Sequence, residues 1–226
     1  MSTSRRRPTG RNSARLRARL ALATPALAVP YARLHQSPDQ AARYTDYLVF
    51  LHTVIRASVP LMVDAAARLA AIPADPLAGG LIHYFDAHIP EEKGHDDWLL
   101  EDLELLGRPR HEVLAGVPSV HVAAAVGAQY YWIRHHHPVA LLGYIAVLEG
   151  NPPTLSGVLD WIGRTGLPKE AFRTLEHHAV IDPTHNQELD NLLDSLPLSE
   201  SQFTCVCLSG MATAASLASA LDDIAG

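Results

Sequence analysis

Between about residues 40 and 71, apolar side chains return with helical period at Tyr44, Tyr47, Leu48, Leu51, Val54 and Ile55. Ser37-Pro38-Asp39-Gln40 supplies a start signal, with Ser37 as cap and Pro38 at the first helical position, and Pro60 predicts a kink further along. The run Ile72-Pro73-Ala74-Asp75-Pro76 breaks the pattern, and a second helix is expected from there to Gly107. A third covers Ser119 to His136, and a fourth runs from Pro138 through Leu141, Leu142, Ile145 and Leu148 to Glu149. Shorter helices follow at Thr154 to Arg164 and from Leu167 to His185 or beyond, and the apolar segment Phe203 to Ile224 closes the chain. Val, Ile and aromatic residues nowhere form alternating runs bounded by turn signals, so an all-α bundle of seven or eight helices is predicted.

Charge divides the 226 residues unevenly. Residues 1–33 carry eight Arg and no acid, which leaves ten Lys/Arg against 24 Asp/Glu and a net charge of −14 in the remainder. An acidic body excludes nucleic acid as the main partner, because phosphate binding needs a basic surface. Arg15, Arg17 and Arg19 precede the apolar stretch Leu20 to Val29, but that stretch is short and interrupted by Pro25. Residues 1–36 are therefore expected to form a disordered basic tail that is dispensable for chemistry, and residues 37–226 a single domain. No uninterrupted apolar run reaches the 18 or so residues of a membrane span. Cys205 and Cys207 are too close to staple a fold and lack zinc spacing, which points to a reducing, cytoplasmic setting.

Candidate chemistry lies in a repeated spacing. His88, Glu92 and His95 in HIPEEKGH, and His178, Asp182 and His185 in HAVIDPTH, both read His-x3-acid-x2-His. On a helix, positions i, i+4 and i+7 fall within about 60° of one another, so each triplet projects imidazole and carboxylate from one face. Bundles place transition-metal ligands in their cores this way. Asp182-Pro183 has a structural rival as a helix cap followed by its first residue, although Leu175, His178, Ile181, Asp182, His185 and Leu189 mark one continuous face. In the first triplet, Glu91 and Glu92 both lie near His95, and spacing does not choose between them. His88 reads either as a third ligand or as a core or surface histidine. Glu149 is the only acid in its apolar helix, where an unpaired carboxylate is costly to bury. His135-His136-His137 reads as a polar helix terminus, and Tyr130, Tyr131, Trp132 and Arg134 as either a pocket wall with a cationic anchor or core and rim.

Taken in order, Glu92-x2-His95, Glu149 within PVALLGYIAVLEG, and His178-x3-Asp182-x2-His185 resemble the haem-oxygenase-like di-iron oxidases, the iron-containing redox enzymes. The resemblance spans roughly residues 40–224. It implies a compact haem-oxygenase-like bundle in which Glu92, His95, Glu149, His178, Asp182 and His185 hold two Fe(II) ions that use O2 as co-substrate. It further implies oxidation of a small amino-acid- or fatty-acid-derived substrate, by N-oxygenation, C–C cleavage or decarboxylation. The partners expected with it are a small-molecule substrate, an external electron donor and a second copy in a homodimer, with neither nucleic acid nor membrane. Metal-free relatives of the same fold, thiaminase-like hydrolases and a cofactor-biosynthesis oxidase, form the alternative, as does a non-catalytic iron-binding bundle. Haem oxygenase itself needs an axial histidine in the first helix, a place His52 would fill.

Overall fold

The computed structural model describes residues 11–226, and among them every regular element is helical. Two N-terminal helices, α1 (Asn12–Leu20) and α2 (Pro25–Gln36), precede α3 (Gln40–Ile55) and α4 (Ser58–Ala70). After them come α5 (Ala78–Glu92), α6 (His95–Leu105), α7 (Arg110–Ala115), α8 (Val120–His135), α9 (Leu141–Leu148) and α10 (Leu155–Thr165). The long helices α11 (Arg173–Ser195) and α12 (Glu200–Ala225) complete the bundle, with short 3-10 turns leading into α9 and α11.

Two breaks within expected helices, together with the unexpected helices α1, α2 and α7, account for the larger helix number. The first long helix divides at Arg56 and Ala57, ahead of Pro60, which sits in the first turn of α4 where its missing N–H has no intrahelical role. Asp39, not Ser37, caps α3, accepting from the Ala42 backbone N–H. The second divides at Lys93-Gly94, where Gly94 has φ +95°, a left-handed conformation that glycine adopts without steric cost. His95 therefore opens a new helix instead of continuing the face of His88 and Glu92. In contrast, α11 runs unbroken through Pro183, so Asp182 is not a helix cap.

The disordered-tail expectation fails over residues 12–36, and its remaining part at residues 1–10 lies outside the described residues. Leu16, Leu20 and Leu34 are buried, and α2 packs along α12. Ser13 donates to Asp194 through both its backbone N–H and its hydroxyl, while Arg15 pairs with Glu200 and Arg17 with Asp190. The Arg residues thus bind α1 to acidic positions of α11 and α12, a role their clustering in the sequence does not reveal.

Two apolar clusters fill the bundle. One draws on α4, α5, α8, α9 and α12 through residues such as Leu61, Phe85, Leu142 and Val206. The other joins α3, α6, α10 and the start of α11 through Tyr44, Leu99, Trp161 and Phe172. Since α5 belongs to the first cluster and α6 to the second, their junction at residues 92–95 lies where the two cores meet. At the centre of the first cluster, Gly143 of α9 lies against α12, and a Cβ there would stand 2.1 Å from the Val206 carbonyl oxygen. By length and composition the stretch 40–70 and α12 would suffice to cross a membrane, and 61% of the relevant α12 window is buried inside this fold.

Candidate metal centre

Seven polar side chains from four helical segments converge in the interior: His88 and Glu92 from α5, His95 from α6, Glu149 at the end of α9, and His178, Asp182 and His185 from α11. All but His178 are buried, and His178 is only slightly exposed. The six residues singled out by sequence are therefore brought to one place, and His88, left open between ligand and core histidine, joins them.

Their donor atoms fall into two groups that share one residue. His88, Glu92, Glu149 and His185 each offer an atom within 4.8 Å of the others, and so do Glu92, His95 and His178. Glu92 belongs to both. Its Oε2 lies 3.0 Å from His95 Nδ1 and its Oε1 3.4 Å from His185 Nδ1. His88 Nε2 lies 2.8 Å from Glu149 Oε1, and the His88 and His185 rings meet edge to face at 4.5 Å. Asp182 stands one step back: its Oδ1 holds His178 Nδ1 at 2.9 Å, which fixes that ring and leaves Nε2 free. The adjacent Glu91 is half-exposed, so burial separates the two acids that spacing alone did not.

The backbone explains why these groups meet. Glu149 follows the last turn of α9, where the Asn186 side chain donates to its carbonyl oxygen and ties it to α11. The α5–α6 break swings His95 away from the α5 axis towards the His178 ring, 4.8 Å away. Behind the site, Thr174 at the start of α11 donates to Asp102 of α6 from its backbone N–H (3.1 Å) and its hydroxyl (2.6 Å).

Electrostatically, the cluster is a set of buried groups each needing a partner of opposite charge. Burial pushes the Glu149 carboxyl above its usual range, with His88 pulling it part of the way back. Burial also disfavours the Glu92 charge, but the hydrogen bond from His95 and the surrounding imidazoles overcome this and hold the group below its usual range. His88 and His178 resist the same desolvation through Glu149 and Asp182 respectively, and both are raised. Even so, Glu92 Oε1, Glu149 Oε2, His88 Nδ1, His178 Nε2 and His185 Nδ1 are buried without a hydrogen-bond partner. Orphaned buried acceptors in such number are costly, and a cation accepting their lone pairs satisfies them. Three carboxylates and four imidazoles form a mixed N/O donor set suited to iron.

A cavity of about 630 Å³ reaches the cluster, and His88, Glu92, Glu149, His178 and Asp182 form part of its wall. Much of the remaining wall is apolar or aromatic, including Leu27, Phe50, Val54, Ile145 and Leu221, and its polar members include Tyr31, Tyr47, Asn151 and the ion-paired Asp160 and Arg164. Thr24, Leu27, Ala28, Tyr31 and His35 place the N-terminal helices in this wall, a contribution for which the sequence carried no signal beyond an apolar stretch. Tyr130, Tyr131, Trp132 and Arg134 lie elsewhere: Arg134 pairs with Asp64 and covers the Tyr130 ring. His137 accepts from the Val139 N–H and meets Asp75, as befits a helix terminus. His52 is buried but outside the cavity wall, and Cys205 and Cys207 are buried free thiols.

Solved structures of the same architecture are found. A domain of unknown function with a haem-oxygenase-like fold from Shewanella denitrificans OS217 is 20% identical, with a TM-score of 0.73 over 94% of this chain and 88% of its own. A TenA homologue from Pseudomonas syringae pv. tomato DC3000 is 13% identical, with a TM-score of 0.69 over 99% of both chains. A CADD-like protein of unknown function from Nostoc punctiforme PCC 73102 is 16% identical, with a TM-score of 0.66 over 95% of both. These likenesses establish the haem-oxygenase-like fold. No match is found among curated proteins. A family model described as iron-containing redox enzyme matches residues 66–218, a span that contains all seven clustered side chains and about two thirds of the sequence, and the chain belongs to that family.

Proposed function

We propose that the protein is a non-haem di-iron oxidase that uses O2 to oxidise a small organic substrate. The observation that carries this reading is the pair of donor groups sharing Glu92. In this reading His88, Glu149 and His185 would hold one ion and His95 and His178 the other, with Glu92 available to both and Asp182 as a ligand or as the group that holds His178. When bound, two ferrous ions supply the electrons with which dioxygen is activated for substrate oxidation.

The chain's own residues then do three things. Buried carboxylates offset the charge of the ions, and the hydrogen-bonded imidazoles keep their orientation. The apolar wall excludes water from the reacting centre and receives the substrate's hydrocarbon portion. Tyr31, Tyr47 and Arg164 offer the polar contacts that orient it. This lining supports an amino-acid- or fatty-acid-derived substrate carrying an apolar body, oxidised by N-oxygenation, C–C cleavage or decarboxylation. The free thiols accord with a reducing, cytoplasmic setting, where an external donor returns electrons to the centre.

Metal analysis of the purified protein, followed by anaerobic Fe(II) loading and oxygen-uptake measurement, tests the reading. About two irons per chain and iron-dependent oxygen consumption are expected. A protein that binds no iron and catalyses its reaction without it would belong with the metal-free enzymes of the fold. Iron binding without oxygen consumption under reducing conditions would instead mark a non-catalytic bundle.

A further inference from the structure

We propose that Glu91 and Glu188 form a surface port through which the metal reaches the buried centre, separate from the cavity that admits substrate. This inference rests on the metal-centre reading above. Glu91 lies on α5 next to Glu92, yet its side chain is half-exposed while Glu92 is buried. Glu188 is exposed on α11, one turn beyond His185. Together with His88, these two acids offer donor atoms within 4.8 Å of one another.

The second observation is how the imidazoles are turned. His88 is 2% exposed, and its Nδ1 has no hydrogen-bond partner and lies 3.6 Å from Glu91 Oε2, while its Nε2 meets Glu149 at 2.8 Å. His185 repeats the arrangement, with Nε2 3.4 Å from the same Glu91 oxygen and Nδ1 3.4 Å from Glu92 Oε1. Both rings therefore present one nitrogen to the surface acid and the other to a buried carboxylate. Tyr84 stacks on His88 at 5.2 Å and holds its plane. A hydrated divalent cation attracted by Glu91 and Glu188 can thus exchange water for imidazole nitrogen one ligand at a time, without crossing apolar wall.

The cavity shares His88 and Glu92 with this route, but Glu91, Glu188 and His185 are not in its wall. Substrate and metal approach the centre from different sides. A route for iron that bypasses the apolar cavity lets the centre load when substrate occupies that cavity.

The test follows Co(II) and anaerobic Fe(II) uptake by the full-length, chelator-stripped protein in a stopped-flow instrument. Quenching of Trp98, whose ring lies 4.6 Å from that of His95, serves as reporter together with Co(II) absorption. The double variant Glu91→Gln/Glu188→Gln should load about tenfold more slowly, with the same final stoichiometry and spectrum. A control variant, Glu101→Gln/Glu104→Gln, removes equal charge from α6 and should keep the wild-type rate. Uptake by the port variant at the wild-type rate would overturn the proposal, as would equal slowing in the control, which would indicate general attraction by an acidic body. A lower final stoichiometry in the port variant would make Glu91 a resident ligand and overturn it too. Wild-type protein that takes up neither metal would instead refute the metal-centre reading itself, a result distinct from normal wild-type loading with an unaffected port variant.

Discussion

His88 Nε2 and Glu149 Oε1 are 2.8 Å apart although 61 residues separate them in the chain, and both are buried. The contact brings α5 to the end of α9 and completes one of the two donor groups around Glu92. Replacement of Glu149 by Ala should therefore lower bound iron from about two towards one per chain, because the other group keeps Glu92, His95 and His178. Glu149→Gln preserves shape and should retain the fold better. Iron analysis with circular dichroism checks this, and two irons in the alanine variant would remove Glu149 from the ligand set.

Asp182 holds the His178 ring through its Oδ1. Asp182→Ala should leave helix content nearly intact, since α11 already accommodates Pro183 at the next position, while lowering metal affinity by about 10–100-fold. Metal titration of the stripped protein provides the reading, and unchanged affinity would reduce Asp182 to a bystander.

Deleting residues 1–36 should destabilise the protein and open the cavity. Leu16, Leu20 and Leu34 are each worth about 1.5–3 kcal/mol of burial, and Leu27 and Tyr31 would leave the cavity wall. The milder Leu34→Ala should cost about 2–5 kcal/mol in denaturant unfolding. A truncated chain with the melting temperature of the intact protein would show that the N-terminal helices are not part of the folded unit.

Burial holds the Asp102 carboxyl above its usual range, while Thr174's two hydrogen bonds oppose that shift. A raised carboxyl pKa means that the folded state binds the proton more tightly, so the associated stability is present below the unfolded pKa of about 3.9 and is lost as pH rises through the folded value. Asp102→Asn keeps an acceptor for Thr174 and removes this dependence. The melting temperature of the variant should gain on that of the wild type as pH increases from about 4 to 7. A difference that stays constant or shrinks over that interval would contradict the burial argument.

Gly143→Ala should destabilise by about 1–3 kcal/mol or more, because the added methyl would stand 2.1 Å from the Val206 carbonyl and α9 would have to move off α12. Glu149 ends that helix, so metal affinity should fall with stability. A variant as stable as wild type, measured by urea unfolding, would show that the two helices separate freely.

Helical periodicity alone gave the all-α class and several helix limits, and residue spacing picked out six side chains that the folded chain brings together. Periodicity is a local property, and the spacing His178-x3-Asp182-x2-His185 survives because α11 is one uninterrupted helix. Glu149 was legible because a lone acid in an apolar helix needs a partner, whatever the tertiary arrangement. The remaining features depend on how the helices pack against one another. The first triplet spans a helix break at Gly94, so His95 reaches the His178 ring through a change of chain direction that spacing could not convey. Glu91 and Glu92 are adjacent acids in the sequence, and which of them is buried follows from the meeting of two cores. The Arg-rich N-terminus resembles a solvated tail because its partners Asp190, Asp194 and Glu200 lie more than 170 residues away. Long-range ion pairing and burial depend on which surfaces meet after folding, and that information is distributed over the whole chain rather than held in any one segment.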